Sequence, residues 1–311
     1  MRRCWSAWLY LVAWTWVQVY CAGIASAQSP DSPAGPGQAE PLQEVTVSAR
    51  KLIDQTTLYQ VIIPRFVKSH AADNPRSRQV GRWTRPALIC PSAEGLQPAA
   101  VDYLSRRILA VAASVGAPTA KYGHCVTNVE VVFTSSPQEK VAYFGKAYRA
   151  ILGNEEQTLK ERLTFNHKVR AWYTTGTHTF GGDWRTDDDR TLVNVGGLEE
   201  GASRLTSHML TGFVNVLIIV DSREVARHSI KQIADYVTML ALTRTSVEGC
   251  SELPSIIDVL SADCAGRAPP ETITEADVSF LKALYASNLE MNLNIERGEM
   301  RDQMRKTIKG P

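Results

Sequence analysis

Apolar residues recur along this chain at two kinds of spacing, and each spacing predicts one kind of secondary structure. In residues 98–114, Leu104, Ile108 and Val111 follow one another at helical intervals, and Pro98 suits the first turn of a helix. Continuous apolar or β-branched runs predict buried strands instead. Strands are predicted at 128–134, 168–175 and 213–220, and further helices at 52–69 (kinked by Pro64), 137–152, 223–243 and 274–286.

The order of these elements predicts the fold class. Helices and strands alternate without an internal repeat, which indicates an α+β (mixed α/β) fold with a single sheet packed against helices. Residues 176–201 are rich in Gly, Asp and Thr and are predicted to be a long loop. Residues 42–287 are therefore interpreted as one domain. The polar helix predicted at 288–311 has little apolar face, so we expect it to be exposed or to face a partner.

The N-terminus has the three parts of a secretory signal peptide. Arg2 and Arg3 are followed by an uncharged apolar run at 4–19 and by the small-residue cleavage site Ala25-Ser26-Ala27. Cleavage after Ala27 would make the mature protein periplasmic or secreted, with no membrane span. The alternative is an uncleaved anchor, because the apolar run approaches the length of about 20 residues that crosses a bilayer.

Residues after the signal peptide read first as a linker and then as an extended segment. Residues 28–41 are rich in Pro, Gly, Ser and Ala and predict a flexible linker. Residues 42–51 resemble the TonB-box-like segment that opens many mature outer-membrane receptors. A first strand is the simpler interpretation, and a segment offered to a partner is the alternative.

The charge balance changes when the signal peptide is set aside. The whole chain has 34 Lys and Arg against 32 Asp and Glu, a formal charge of +2. Arg2 and Arg3 account for that excess, so the remaining chain is neutral and its charges are dispersed, which argues against nucleic acid as a partner. No P-loop or dinucleotide-binding glycine pattern is present, and no cofactor is expected.

Four cysteines follow the signal peptide: Cys90, Cys125, Cys250 and Cys264. An even number of cysteines in an exported chain predicts disulfides, and four cysteines allow three connectivities. The local pairs Cys90–Cys125 and Cys250–Cys264 are favoured because each lies within one half of the chain and brackets predicted loop ends. A zinc site is the alternative, but it would need closely spaced Cys or His pairs, which the sequence lacks.

Three motifs follow one another in the C-terminal third. A strand leads into a helix that ends Ala-Asp-Tyr-Val-Thr-Met-Leu-Ala-Leu (234–242). Leu-Pro-Ser-Ile-Ile (253–257) comes next, and then Ile-Thr-Glu-Ala-Asp followed by a hydrophobic run ending in Leu-Tyr (273–285). This order resembles the catalytic half of a matrixin-type zincin, in which a helix carrying H-E-x-x-H precedes a Pro-Ser-Ile turn and a closing helix.

The departures from that family remove its chemistry. Ala234 and Thr238 stand where the resemblance implies the two zinc-binding histidines, and Asp235 stands where it implies the general-base glutamate. An alanine cannot bind a metal, a threonine hydroxyl is a poor zinc ligand, and no histidine follows this helix. The resemblance therefore implies a zincin-like topology in the C-terminal half of a protein that is not an active zinc peptidase.

Five polar residues could form a metal or nucleophilic site away from the zincin positions: His178, Asp183, His228, Gln232 and Asp235. His228 and Gln232 are four residues apart in one predicted helix, which places them on the same face. Glutamine binds zinc weakly, and the intervening Ser229 is not a base. A solvated polar face is therefore the simpler interpretation, with no metal bound.

These observations favour a non-catalytic exported protein, a pseudo-peptidase that binds a protein or peptide partner in the cell envelope. One alternative is a hydrolase with a relocated metal or nucleophilic site at the polar set. The other is an accessory protein of an envelope transport system, suggested by residues 42–51.

Overall fold

The structure is a computed structural model, and it describes residues 54–73, 79–153, 159–179, 184–186, 209–247 and 249–308. The predicted signal peptide, the linker and the segment at 42–51 lie outside these residues.

The described strands form one mixed sheet. They are β1 (Pro91–Glu94), β2 (Val129–Thr134), β3 (Val169–Thr179), β4 (Trp184–Thr186) and β5 (Met209–Asp221), in the spatial order β1-β2-β5-β3-β4. β1, β2 and β5 are parallel, whereas β3 runs antiparallel to β5 and β4 runs antiparallel to β3. This sheet and its helices confirm the predicted α+β fold.

Helices connect and cover the strands. They are α1 (Gln55–Thr57), α2 (Ile63–His70), α3 (Pro98–Ser114), α4 (Pro137–Ala147), α5 (Leu159–Arg162), α6 (Ser222–Val225), α7 (Ile230–Leu242), α8 (Glu275–Ala286) and α9 (Leu293–Thr307). A π-helical turn at Leu58–Ile62 lies between α1 and α2, and Pro64 lies in the first turn of α2. Short 3-10 turns occupy Arg149–Leu152, Ile256–Leu260 and Ala262–Cys264.

The sheet is the middle layer of the molecule, as β5 shows. Side chains alternate between the two faces of a strand. Val216, Ile218 and Val220 contact the larger apolar core, which also contains residues of α3, α7 and α8. Leu217 and Ile219 contact a smaller core on the other face, with residues of α4. Burial on both faces explains why β5 reads as a continuous apolar run.

Several predicted elements have different bounds in the structure, among them one helix and one loop. The helix predicted at 223–243 is divided into α6 and α7, because Ser229 begins a new helix with a capping box. The Gln232 backbone N–H donates to Ser229 Oγ (3.2 Å), and the Gln232 side chain accepts from the Ser229 N–H (3.1 Å). The predicted loop at 176–201 begins instead with the end of β3 and includes β4, and the rest of it lies outside the described residues.

The C-terminal helix α9 packs against the rest of the molecule through one buried stripe, which differs from the predicted exposed or partner-facing helix. Its buried residues Glu296, Met300 and Met304 are spaced by four and form one stripe. The Glu296 carboxylate pairs with Arg82, and both side chains are buried. Glu296 Oε2 also accepts from the Val80 N–H (3.0 Å). These described residues belong to one compact unit, Lys51–Pro311.

Both predicted disulfides, Cys90–Cys125 and Cys250–Cys264, are confirmed. Disulfides persist in oxidising compartments, so the pair fits an extracellular protein. Across the described part of the chain, each helix is too short or too polar to cross a bilayer.

Candidate functional site

Helix α7 carries the positions that the zincin resemblance singles out, and its core-facing side is closed. Ala234 and Thr238 are both fully buried. Thr238 Oγ1 donates to the Ala234 carbonyl oxygen one turn earlier (2.7 Å), so the hydroxyl is satisfied within the helix. Neither residue faces an open cleft, and the two positions act as packing residues.

Asp235 is also buried, and its carboxylate is fully engaged. Its Oδ1 accepts from Arg107 Nε (2.5 Å). Its Oδ2 accepts from Arg107 Nη2 (3.1 Å), Thr272 Oγ1 (2.5 Å) and the Ile273 N–H (2.8 Å). These bonds tie α7 to α3 and to the segment that leads into α8. A carboxylate held in this way is a structural anchor, and no lone pair faces a substrate.

The predicted set of polar residues does not form one site among the described residues. His228 precedes α7, so it does not share a helix face with Gln232. Gln232 Nε2 instead donates to the Pro270 carbonyl oxygen (2.9 Å). His178 lies in β3 opposite Leu210, and its side chain is outside the description. Asp183 lies outside the described residues altogether.

The fold assembles a buried His–Ser–Asp group that the sequence did not reveal. His70 Nε2 lies 3.1 Å from Ser255 Oγ, and Ser255 Oγ donates to Asp277 Oδ1 (2.6 Å). A hydrolytic triad requires the aspartate to orient the histidine and the histidine to activate the serine. Here the aspartate contacts the serine, and all three residues are fully buried, so substrate has no access. The group is structural.

Asp277 also makes contacts outside this group. It completes the capping box of α8 with Thr274, and its Oδ2 accepts from the Ile256 N–H (2.8 Å). Asp277 thereby fastens α8 to the Pro-Ser-Ile turn. Burial raises the pKa of Asp277, while its hydrogen bonds oppose that shift. His70 could not have been added to this set from sequence, because it lies 185 residues from Ser255.

A metal site is restricted by the cysteine pairing. Among the described residues, the potential ligands that lie within reach of one ion are Cys250, Asp258 and Cys264. Both thiols are consumed by the Cys250–Cys264 disulfide. Thiolates, not disulfide sulfurs, are the strong cysteine ligands, so this group does not form a zinc site while the disulfide is intact.

An open groove of about 760 Å³ lies between β3 and α7. Ala171 and Tyr173 line it from β3, and Tyr236 and Leu240 line it from α7. Residues two positions apart in a helix are separated by about 200° around the axis, so Tyr236 and Leu240 lie nearly opposite Ala234 and Thr238. The groove and the zincin positions are therefore on different sides of the same helix.

The groove is positively charged. Lys160, Arg170 and Arg244 line it, and Glu161 is the carboxylate among its lining residues. Arg170 is held over the Trp172 ring, with its guanidinium 4.9 Å from the ring centroid. The charged residues come from the segment before β3, from β3 itself and from the segment after α7, which is why no local sequence motif predicted this surface.

Tyr236 adds a polar group to the groove. Its hydroxyl makes no hydrogen bond to another described residue. Burial raises the pKa of Tyr236 to about 12, so the hydroxyl remains protonated at neutral pH. A neutral hydroxyl can both donate to and accept from a ligand.

No protein-family model, curated protein or solved structure matches this chain. The structure defines an α+β protein with two disulfides, a closed core on one side of α7 and a positively charged groove on the other.

Proposed function

We propose that this is a non-catalytic, exported protein on a zincin-like scaffold, and that it binds a protein or peptide partner of the cell envelope. The partner would enter the groove between β3 and α7 through an acidic segment. The observation that carries this proposal is the contrast between the two sides of α7: the side where a zincin holds its metal is filled, and the opposite side is open.

The absence of catalysis is argued from the chemistry of the closed side. Ala234 offers no ligand, the Thr238 hydroxyl is bonded to the helix backbone, and Asp235 is held by Arg107. Zinc catalysis needs about three protein ligands and an open position for water. The order of strand, α7, Pro-Ser-Ile turn and α8 is retained without those ligands, which supports a scaffold kept for binding.

The acidic segment is argued from the charge and size of the groove. Lys160, Arg170 and Arg244 outnumber Glu161, and complementary charge favours encounter with an anionic partner. The groove volume lies within the range of about 300–1,000 Å³ typical of ligand sites. Tyrosines at its floor supply apolar contact together with a hydroxyl, a combination common in binding surfaces.

Two observations support a location in the cell envelope: the signal-peptide pattern and the disulfides. The signal-peptide pattern at 1–27 would direct the chain out of the cytoplasm. The two disulfides are suited to the oxidising compartment that lies beyond.

Binding is tested with three fluorescent pools of synthetic peptides, of acidic, neutral and basic composition. The mature protein should raise the fluorescence anisotropy of the acidic pool, and the Tyr236→Phe variant should bind that pool less tightly by about three- to tenfold, the loss expected for one hydrogen bond. Tyr148→Phe is the matched control, because Tyr148 is exposed and lies outside the groove. Equal binding of all three pools, or equal loss in both variants, would refute the proposal.

A further inference from the structure

A second, smaller cavity lies beside the Cys250–Cys264 disulfide, and we call it the disulfide pocket. It has a volume of about 340 Å³ and is formed mainly by residues of the segment 254–270. Lys168, immediately before β3, and Arg227, between α6 and α7, line its other side. It shares no lining residue with the groove between β3 and α7, so an inference about it stands apart from the proposed function.

Three cations and one carboxylate converge on this pocket. Lys168, Arg227 and Arg267 line it, together with one carboxylate, Asp258. None of the three forms an ion pair with a described residue. Lys168 Nζ donates to the Leu260 carbonyl oxygen (3.0 Å), which leaves most of its donor capacity unused.

Arg227 and Arg267 are differently occupied. Arg267 Nη1 donates to the Ser251 carbonyl oxygen (2.6 Å), which places that guanidinium against the disulfide-bonded segment. Arg227 makes no hydrogen bond to a described residue, so its whole fork of donors remains available. An anion in the pocket would therefore meet Arg227, which no described residue engages, beside Lys168, which uses one donor on Leu260.

The pKa of His228 reflects the positive charge around the disulfide pocket. Its Nε2 is buried and has no hydrogen-bond partner among the described residues. The pKa of His228 is lowered, first by burial and then by Arg227 and Lys168, the same two cations that line the pocket. A nearby negative charge would reverse the electrostatic part of that shift.

The walls of the pocket are apolar. Pro254, Val259, Ala262 and Pro269 contribute short, stiff side chains, and Cys264 anchors the wall through the disulfide. A strongly hydrated inorganic ion gains nothing from such walls, whereas an anion with an apolar body gains by burying it. The combination favours one charged end and one apolar end in the ligand.

We propose that the disulfide pocket binds a small organic carboxylate, with the carboxylate between Arg227 and Lys168 and the apolar body against the prolines and alanines.

The test uses benzoate as the probe, the neutral isostere benzamide and inorganic phosphate as comparisons, and the full mature protein. Benzoate should raise the thermal unfolding temperature in a concentration-dependent manner, since a ligand that binds only the native state stabilises it. It should also raise the pKa of His228 measured by NMR. Benzamide and phosphate should do neither.

One variant and its matched control test where benzoate binds. Arg227→Gln should weaken benzoate binding by about tenfold, the loss of one charge-assisted interaction. Lys306→Gln, an exposed cation on α9, should bind benzoate as the wild type does. Equal responses to benzoate and benzamide, an equal response to phosphate, no response at all, or equal loss in both variants would each overturn the proposal. Tyr236→Phe should leave benzoate binding unchanged.

Discussion

At the scale of single residues, buried carboxylates in this protein form hydrogen bonds and ion pairs that connect segments distant in sequence. Asp235 joins α7 to α3, Asp277 joins α8 to the Pro-Ser-Ile turn, and Glu296 joins α9 to Arg82. Each carboxylate is supplied with several donors, which is the condition under which a buried charge is tolerated. The same residue types that suggest catalysis in a sequence therefore serve structure here.

Asp277 should be among the most sensitive of these residues. Asp277→Asn places an amide where Ser255 Oγ, the Ile256 N–H and the Thr274 N–H all donate, so at least one donor loses its acceptor. We expect a loss of about 2–4 kcal/mol in the free energy of unfolding, measured by urea denaturation. Glu275→Gln, an exposed acid in the same first turn, is the control and should change stability by less than about 0.5 kcal/mol. Similar stabilities for the two variants would contradict the assigned role.

His70 should make stability depend on pH. Burial lowers its pKa to about 4, whereas an unfolded histidine titrates near about 6.5. Between these values the unfolded state binds a proton that the native state does not. The contribution of neutral His70 is therefore complete above pH ~6.5 and is lost as the pH falls toward ~4, by about 3 kcal/mol in all.

This dependence is isolated by comparing wild type with His70→Gln. The stability difference between the two should shrink as the pH is lowered through that window, in urea denaturation measured at a series of pH values. Asp277, whose raised pKa acts in the opposite sense, is present in both proteins and largely cancels. His124→Gln, at an exposed site, should keep the wild-type slope. Parallel curves for wild type and His70→Gln would refute the argument.

At the scale of elements, regular apolar spacing predicted the bounds of a helix correctly. Where a polar residue interrupts the apolar spacing, the buried face of the helix was not predicted. Helix α3 has the bounds that its apolar residues predicted. Helix α9 was misjudged because a glutamate occupies one of its three buried positions, so its stripe does not read as apolar. The groove was missed for another reason: its residues come from separate segments that only the folded sheet brings together.

The buried stripe of α9 gives a direct test of that correction. Met300→Ala should lower the free energy of unfolding by about 2–5 kcal/mol, as expected when a fully buried side chain is truncated. Lys306→Ala, on the exposed side of the same helix, should change it by less than about 0.5 kcal/mol. An exposed α9 would instead give two equally mild variants in thermal or urea denaturation.

The two disulfides should differ in what they contribute. Cys250 and Cys264 are 14 residues apart and Cys90 and Cys125 are 35 apart, so the second pair closes the longer loop. On the chain-entropy estimate, removing the Cys250–Cys264 disulfide lowers the free energy of unfolding by about 3 kcal/mol. Removing the Cys90–Cys125 disulfide lowers it by about 4 kcal/mol. Denaturation of the two double Cys→Ala variants checks the order, and a larger loss from the Cys250–Cys264 pair would contradict it.

At the scale of the whole molecule, the two sides of helix α7 have different environments. Its inner side belongs to the core, where Ala234 and Thr238 pack, and its outer side forms the floor of the charged groove. The sequence could predict that the ligands were absent, because their identities are local. It could not predict that the ligand side would be closed, since closure depends on α3 and on the segment before α8.

Whether this scaffold binds a partner without metal chemistry is tested most directly by the zinc content of the protein expressed without residues 1–27. Protein purified without chelators and then dialysed should contain far less than one zinc per chain by elemental analysis. It should also show no peptide hydrolysis that a chelator abolishes. One tightly held zinc per chain, together with chelator-sensitive hydrolysis, would contradict the account.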